Sequence, residues 1–144
     1  FPSTEPTSVN QLAHHLVDKI EQNIDSITRY RAHNLEDAET VIISYGLPTR
    51  SAMQVMHDLR WSGQRLGILE LETLWPFPSR LVREVCSDAR AVIVVEMNMG
   101  QVHQQVRSAV AEPGKVFLAN RVDGQFITPV DIRKVMRIVE GQGV

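Results

Sequence analysis

Ala91-Val92-Ile93-Val94-Val95-Glu96-Met97-Asn98-Met99-Gly100-Gln101 is the stretch whose reading decides the fold. Val92, Ile93, Val94 and Val95 are all β-branched, and no polar residue interrupts Ala91 to Val95 on either face. A strand of that composition has to be buried on both sides, which is the signature of a parallel sheet sandwiched by helices. Glu96, Asn98 and Gly100 then end the apolar run, and Val102, Val106, Ala109 and Val110 resume it at helical spacing over residues 101–110.

The same alternation extends in both directions. Upstream, strands are expected over 41–45 and 66–71, with helices over 49–61 (Ala52, Val55, Met56, Leu59) and 78–86 (Leu81, Val82, Val85). Downstream come a strand over 116–120 and a last helix capped by Thr128, with Pro129 at its first position. Residues 30–37 are expected to hold a short edge strand. Residues 1–7, rich in Pro, Ser and Thr, read as a linker. Ser8 with Gln11 reads as a capping box for a lead helix over about 8–28, whose apolar stripe is Leu12, Leu16, Ile20, Ile24 and Ile27. That stripe has two readings: packing on its own domain, the favoured one, or docking on a neighbouring subunit. The expectation is an α/β protein, a three-layer α/β/α sandwich with a mostly parallel sheet of about five strands, in a single domain over 8–144.

Composition narrows the function. The 144 residues fit one core, since single domains commonly use roughly 100–200 residues. With 43% apolar and 22% charged residues the chain is an ordinary globular one, and a net charge of −2 gives no reason to expect nucleic acid or an anionic membrane as partner. Cys86 is the only cysteine, which rules out an internal disulfide and an all-cysteine cluster or zinc site. A cytoplasmic setting is expected, with no export signal and no membrane partner. The chain opens at Phe1 rather than Met, which fits a piece of something longer.

In an open α/β sheet, ligands gather beyond the carboxyl ends of the strands. Three such segments stand out. At Gly46, Thr49 and Arg50 a strand-to-helix turn either is plain structure or holds a phosphate or carboxylate. Trp75 and Phe77 sit on a loop that Pro76 and Pro78 stiffen; they either cap the local core or anchor an interface, and either proline bond has the option of being cis. Glu96, Asn98 and Gln101 either supply an acid–base carboxylate or, as favoured, hydrogen-bond loop backbone, including across an interface. His14, His15, His33, His57 and His103 have no metal-ligand spacing, Cys86 reads as core filler, and no catalytic constellation is visible.

Taken in order, Tyr45-Gly46-Leu47-Pro48-Thr49-Arg50, Leu74-Trp75-Pro76-Phe77-Pro78, Val95-Glu96-Met97-Asn98-Met99-Gly100-Gln101 and Ile127-Thr128-Pro129-Val130-Asp131-Ile132 resemble the C-terminal, transketolase-C-like domain of the α subunit of 2-oxoacid:ferredoxin oxidoreductases. Trp75 in the proline-rich loop resembles the 2-oxoglutarate branch most. The resemblance implies an antiparallel first edge strand. It also implies a complex that oxidatively decarboxylates a 2-oxoacid using thiamine diphosphate, Mg, an iron–sulfur cluster and coenzyme A, with ferredoxin as electron acceptor. The implied partners are the N-terminal part of the same α subunit and the β subunit. The thiamine fingerprint of Gly-Asp-Gly with a distant Asn is absent, and Val122-Asp123-Gly124-Gln125 does not supply it. No cofactor and no catalytic residue is therefore expected in this chain. Two other readings are kept: a small-ligand module for a phosphate- or CoA-type molecule at residues 46–50, and the matching domain of a thiamine-dependent dehydrogenase or transketolase.

Overall fold

The computed structural model describes residues 5–141. Five strands form one sheet: β1 (Tyr30–His33), β2 (Thr40–Ser44), β3 (Leu66–Leu71), β4 (Ala91–Glu96) and β5 (Val116–Asn120), in the order β1-β3-β2-β4-β5. All neighbours are parallel except β1, which lies antiparallel on the edge against β3. The register lines up Ile68, Ile42 and Ile93 on one face and Leu69, Ile43 and Val94 on the other. Each row is buried, so both faces need a helical cover.

Four helices supply it. On the Ile42 face lie α3 (Pro48–Trp61), through Ala52, Val55 and Met56, and α6 (Pro129–Gly141), through Ile132, Met136 and Val139. On the Ile43 face lie α4 (Ser79–Val85), through Val82, and α5 (Gln101–Ala109), through Val102 and Val106; Cys86 packs in the same layer. Burial pushes the Cys86 thiol up to about 12, so it is an inert apolar filler. Gly67, in the middle of β3, is required by close approach: a Cβ there would come within 2.6 Å of the Asn34 carbonyl oxygen.

The N-terminal segment departs from expectation. Residues 1–4 of the expected linker lie outside the described residues. The first helix, α1 (Pro6–Glu21), already begins at Pro6, with proline at its first position and Glu5 as its cap, so Ser8 lies inside the helix rather than capping it. It also stops at Glu21 instead of running on to about residue 28. The Asn23 side-chain amide donates to the Lys19 carbonyl at 2.7 Å, and a separate turn, α2 (Ile24–Ile27), follows. Ile20 and Ile24 of the stripe are half-buried beside the domain, but the rest does not pack on it as favoured. None of the α1 residues is buried, and Leu12 and Leu16 are 58% and 50% exposed. The reason is topological: α3, α6, α4 and α5 already cover the central rows of the sheet on both faces.

At the other end the capping expectation holds in detail. The Thr128 backbone N–H and hydroxyl donate to the Asp131 carboxylate at 3.0 and 2.7 Å, and the Asp131 N–H donates back to the hydroxyl at 3.4 Å. These bonds hold the Asp131 carboxyl down at about 2. A carboxyl depressed in the folded state stabilises above its unfolded pKa of about 3.9 and loses that contribution as pH falls toward the folded value. Asp131→Asn is expected to lower stability at neutral pH by about 1 kcal/mol and to flatten the loss between roughly pH 4 and pH 2. Thermal melts of both proteins across that interval check it; parallel curves refute it.

Candidate functional site

The connections of this sheet leave in opposite directions. β2 feeds α3 and then β3 on one side, whereas β4 feeds α5 and then β5 on the other. The carboxyl ends of β2 and β4 therefore flank a crevice of the kind where α/β proteins place ligands. The expected segments at residues 45–51 and 96–101 meet there, joined by the loop before α6.

Glu96 closes β4 and is fully buried. Its carboxylate accepts hydrogen bonds from the Val102 and His103 backbone N–H groups at 3.0 and 3.1 Å, the second and third positions of α5. Asn98 takes the two amides before them: its Oδ1 accepts from Gly100 N at 2.9 Å and from Gln101 N at 3.2 Å. The orphan donors of the α5 N-terminus, which carry partial positive charge, are thus consumed by the chain's own side chains. Gly100 makes the turn with φ +94°, and a Cβ there would press on Leu118 at 3.3 Å. The loop-backbone role expected for Glu96 and Asn98 is what the geometry shows. Glu96 cannot also be an interface residue, because it has no surface to offer. Gln101 is exposed on the first turn of α5.

The Asn98 side-chain amide crosses the crevice to the Tyr45 phenol oxygen, and the Asn98 carbonyl accepts from the Asn120 amide at 2.8 Å. Burial, reinforced by the charge of Glu96, raises the Tyr45 phenol above its ordinary value against the opposing Asn98 bond. Tyr45, Asn98 and Asn120 so lace the ends of three strands together.

On the β2 side, Gly46 turns the chain with φ +61°. The Thr49 hydroxyl points inward to Ser44 Oγ at 3.0 Å, and Thr49 is buried. Pro48 has no N–H, and the Thr49 and Arg50 amides donate to the Gly46 and Leu47 carbonyls at 3.2 and 3.1 Å. Of the three residues expected at this turn, only Arg50 presents a polar side chain outward, and among the described residues it has no ion pair or hydrogen bond. Beside it lies a cleft of about 230 Å³ formed by Leu47, Pro48, Arg50, Ser51, Met97, Phe126 and Ile127. Met97 and Ile127 fall within motifs quoted above without a role of their own, and Phe126 lies outside all of them, its only sequence signal being its place in a loop that follows a strand.

The proline-rich loop divides its two aromatics. The Trp75–Pro76 bond is cis. Phe77 is half-buried and packs on the Val82–Val102 core layer, whereas Trp75 is 74% exposed, so core capping describes Phe77 and not Trp75. Leu74, Trp75 and Phe77 line a groove together with Val17, Ile20 and Glu21 of α1 and Gln105 of α5. Elsewhere, His14, His15 and His57 are exposed, and His33 Nε2 lies 3.1 Å from Glu70. No three His, Cys, Asp or Glu side chains converge on a metal-sized space among the described residues, and no helix among them is long and apolar enough to cross a membrane. Asp123, in the segment nearest to a thiamine fingerprint, is committed to Arg121 at 2.8 Å and to the Gln125 N–H at 3.1 Å. With Cys86 buried and alone, these residues fit neither a thiamine cofactor nor a cluster.

Glu96→Ala is expected to destabilise the chain by roughly 3 kcal/mol, because it strands buried helix donors, with Glu96→Gln losing less. Urea unfolding measures this; a loss below about 0.5 kcal/mol refutes the capping role.

Comparisons with known proteins agree with the fold and add the family. Residues 38–132 match the family described as "Pyruvate:ferredoxin oxidoreductase core domain II". The chain is 31% identical to the 2-oxoglutarate synthase subunit KorA of Methanocaldococcus jannaschii over 136 residues, 94% of this chain and 36% of that protein. It is 35% identical to the ketoisovalerate oxidoreductase subunit VorB of Methanothermobacter marburgensis over 114 residues, 79% of this chain and 32% of the other. Among solved structures it superposes on the 2-oxoglutarate:ferredoxin oxidoreductase of Magnetococcus marinus, determined with 2-oxoglutarate, coenzyme A and succinyl-CoA bound, with a TM-score of 0.80 at 23% identity. That match covers 96% of this chain and 24% of the Magnetococcus chain. The chain spans about a third of the length of the curated relatives it matches. By the extent of the family match and the sheet topology together, this chain belongs to the pyruvate:ferredoxin oxidoreductase core domain II family.

Proposed function

We propose that this chain is the C-terminal assembly domain of the α subunit of a 2-oxoacid:ferredoxin oxidoreductase acting on 2-oxoglutarate. Its role is to hold the catalytic parts in place rather than to perform chemistry. The observation that carries this reading is the union of two features. Glu96, Asn98 and Tyr45 at the strand ends are spent on internal hydrogen bonds, and an apolar strip runs exposed along α1 to Trp75. The first leaves no acid, base or nucleophile poised; the second is a surface built to be covered.

Relatives of this chain are subunits about three times its span, which supports a partner domain within the same polypeptide and a separate β subunit. In the intact enzyme, thiamine diphosphate with Mg, the iron–sulfur cluster and coenzyme A belong to those other parts, and ferredoxin takes the electrons. Substrate choice rests on the 2-oxoglutarate synthase relatives and on Trp75 in the proline-rich loop. The complex works in the cytoplasm on this reading.

The isolated chain, mixed with 2-oxoglutarate, coenzyme A, thiamine diphosphate, Mg and an electron acceptor, is expected to give no reduction of the acceptor. Turnover that co-purifies with the chain refutes this. In the intact complex, Trp75→Ala is expected to weaken subunit or domain association by about 2 kcal/mol, as the loss of a central aromatic anchor does. Because Trp75 is largely exposed here, the same change should alter the melting of the isolated chain by less than about 0.5 kcal/mol. A destabilised chain with unchanged assembly overturns the interface.

A further inference from the structure

The cleft between α3 and the loop before α6 goes beyond an assembly role. Its walls come from three separated segments: Leu47, Pro48, Arg50 and Ser51 from the start of α3, Met97 from the end of β4, and Phe126 and Ile127 from the loop after β5. The walls are held in register by a hydrogen bond from Ser51 Oγ to the Ile127 carbonyl at 2.8 Å. It therefore exists as built, at the point of the sheet where the connections diverge.

Its chemistry is lopsided. Leu47 and Phe126 are 58% and 67% exposed, and Met97 is half-buried between them, so the lining is mostly hydrocarbon and aromatic. The one charge is Arg50, whose side chain, like those of Arg29, Arg107 and Arg137, has no partner among the described residues. A helix N-terminus is not what attracts a ligand here, since Pro48 lacks an N–H and the next two amides are spent on Gly46 and Leu47. A bare phosphate, with two charges and no apolar part, would meet one guanidinium and a wall of hydrocarbon. A carboxylate with a hydrocarbon body matches both features, because the guanidinium fork pairs with a carboxylate in two parallel bonds. At about 230 Å³ the space lies below the roughly 300–1,000 Å³ of drug-sized sites, which limits the body to a few carbon atoms.

We propose that this cleft binds a small aliphatic monocarboxylate, with the carboxylate on Arg50 and the hydrocarbon chain between Leu47, Met97 and Phe126. The site is independent of the assembly role above: it needs neither the thiamine centre nor the partner subunits, and it can be occupied in the chain alone.

The experiment is a heteronuclear NMR titration of the full 144-residue chain at constant ionic strength, using sodium hexanoate, inorganic phosphate and hexanol as separate probes. Hexanoate should give saturable shifts centred on Leu47, Arg50, Met97, Phe126 and Ile127. Phosphate and hexanol should each bind at least about tenfold more weakly, since each lacks one half of the match. Arg50→Gln should weaken hexanoate by about tenfold, the cost of losing a charge-assisted pair. Arg107→Gln, an exposed arginine on α5 across the sheet, should leave it unchanged. Absent or non-saturating shifts at these residues overturn the proposal. So does an Arg50→Gln protein that binds hexanoate as tightly as the parent, or phosphate binding as tightly as hexanoate. An inactive complex would bear on the assembly reading and leave this titration untouched.

Discussion

Complete burial of β4 on both faces is the constraint from which the remaining architecture follows. All six residues from Ala91 to Glu96 are removed from solvent, and β2 beside them is buried from Val41 to Ser44. A sheet with an apolar row on each side is stable only between two helical layers. α3 and α6 meet the Ile42 row and α4 and α5 meet the Ile43 row. At about 25 cal/mol per Å² of apolar surface, this two-sided core is the dominant favourable term of folding, and the loops and caps only refine it.

The same burial sets the polar chemistry at the strand ends. A strand that carries Glu96 into a dry interior has to pair that carboxylate, because an unpartnered buried charge is among the costliest features a fold can hold. The α5 N-terminus answers it with two amides, and Asn98 satisfies the two amides that precede them. What looks in one dimension like an acid–base cluster is in three dimensions a helix cap. Tyr45, Ser44 and Thr49 are drawn into the same economy of internal hydrogen bonds. The crevice at the sheet's divergence is thereby laced together on its β2–β4 side by Tyr45, Asn98 and Asn120, with a cleft beside Arg50 and Phe126.

The covered rows also explain the helix that the domain uses least. With α3 to α6 covering the central rows, α1 lies beside the Trp75 loop with Leu12 and Leu16 exposed. The relatives it matches are subunits some three times longer. Phe77 and Trp75 show how a stiff loop serves both sides at once: one aromatic rooted in the core, the next displayed outward.

Most of the architecture was legible in one dimension. The strands at 66–71, 91–96 and 116–120 follow from mostly apolar runs, the four covering helices from 3.6-residue spacing, and the start of α6 from Thr128, Pro129 and Asp131, because each of these signals is local. The ordered set of motifs around Tyr45, Trp75, Glu96 and Thr128 carried the family as well. Periodicity says that α1 has an apolar stripe but not whether a partner face is free, and that question was settled by the two layers already in place. Nor does spacing say which way Thr49 turns, that Glu96 reaches the Val102 and His103 amides, or that Met97 and Phe126 share a cleft with Arg50. The cleft joins segments far apart in the chain, and the Thr49 and Glu96 contacts, though only five to seven residues long, depend on how each strand end turns into its helix once the sheet is formed.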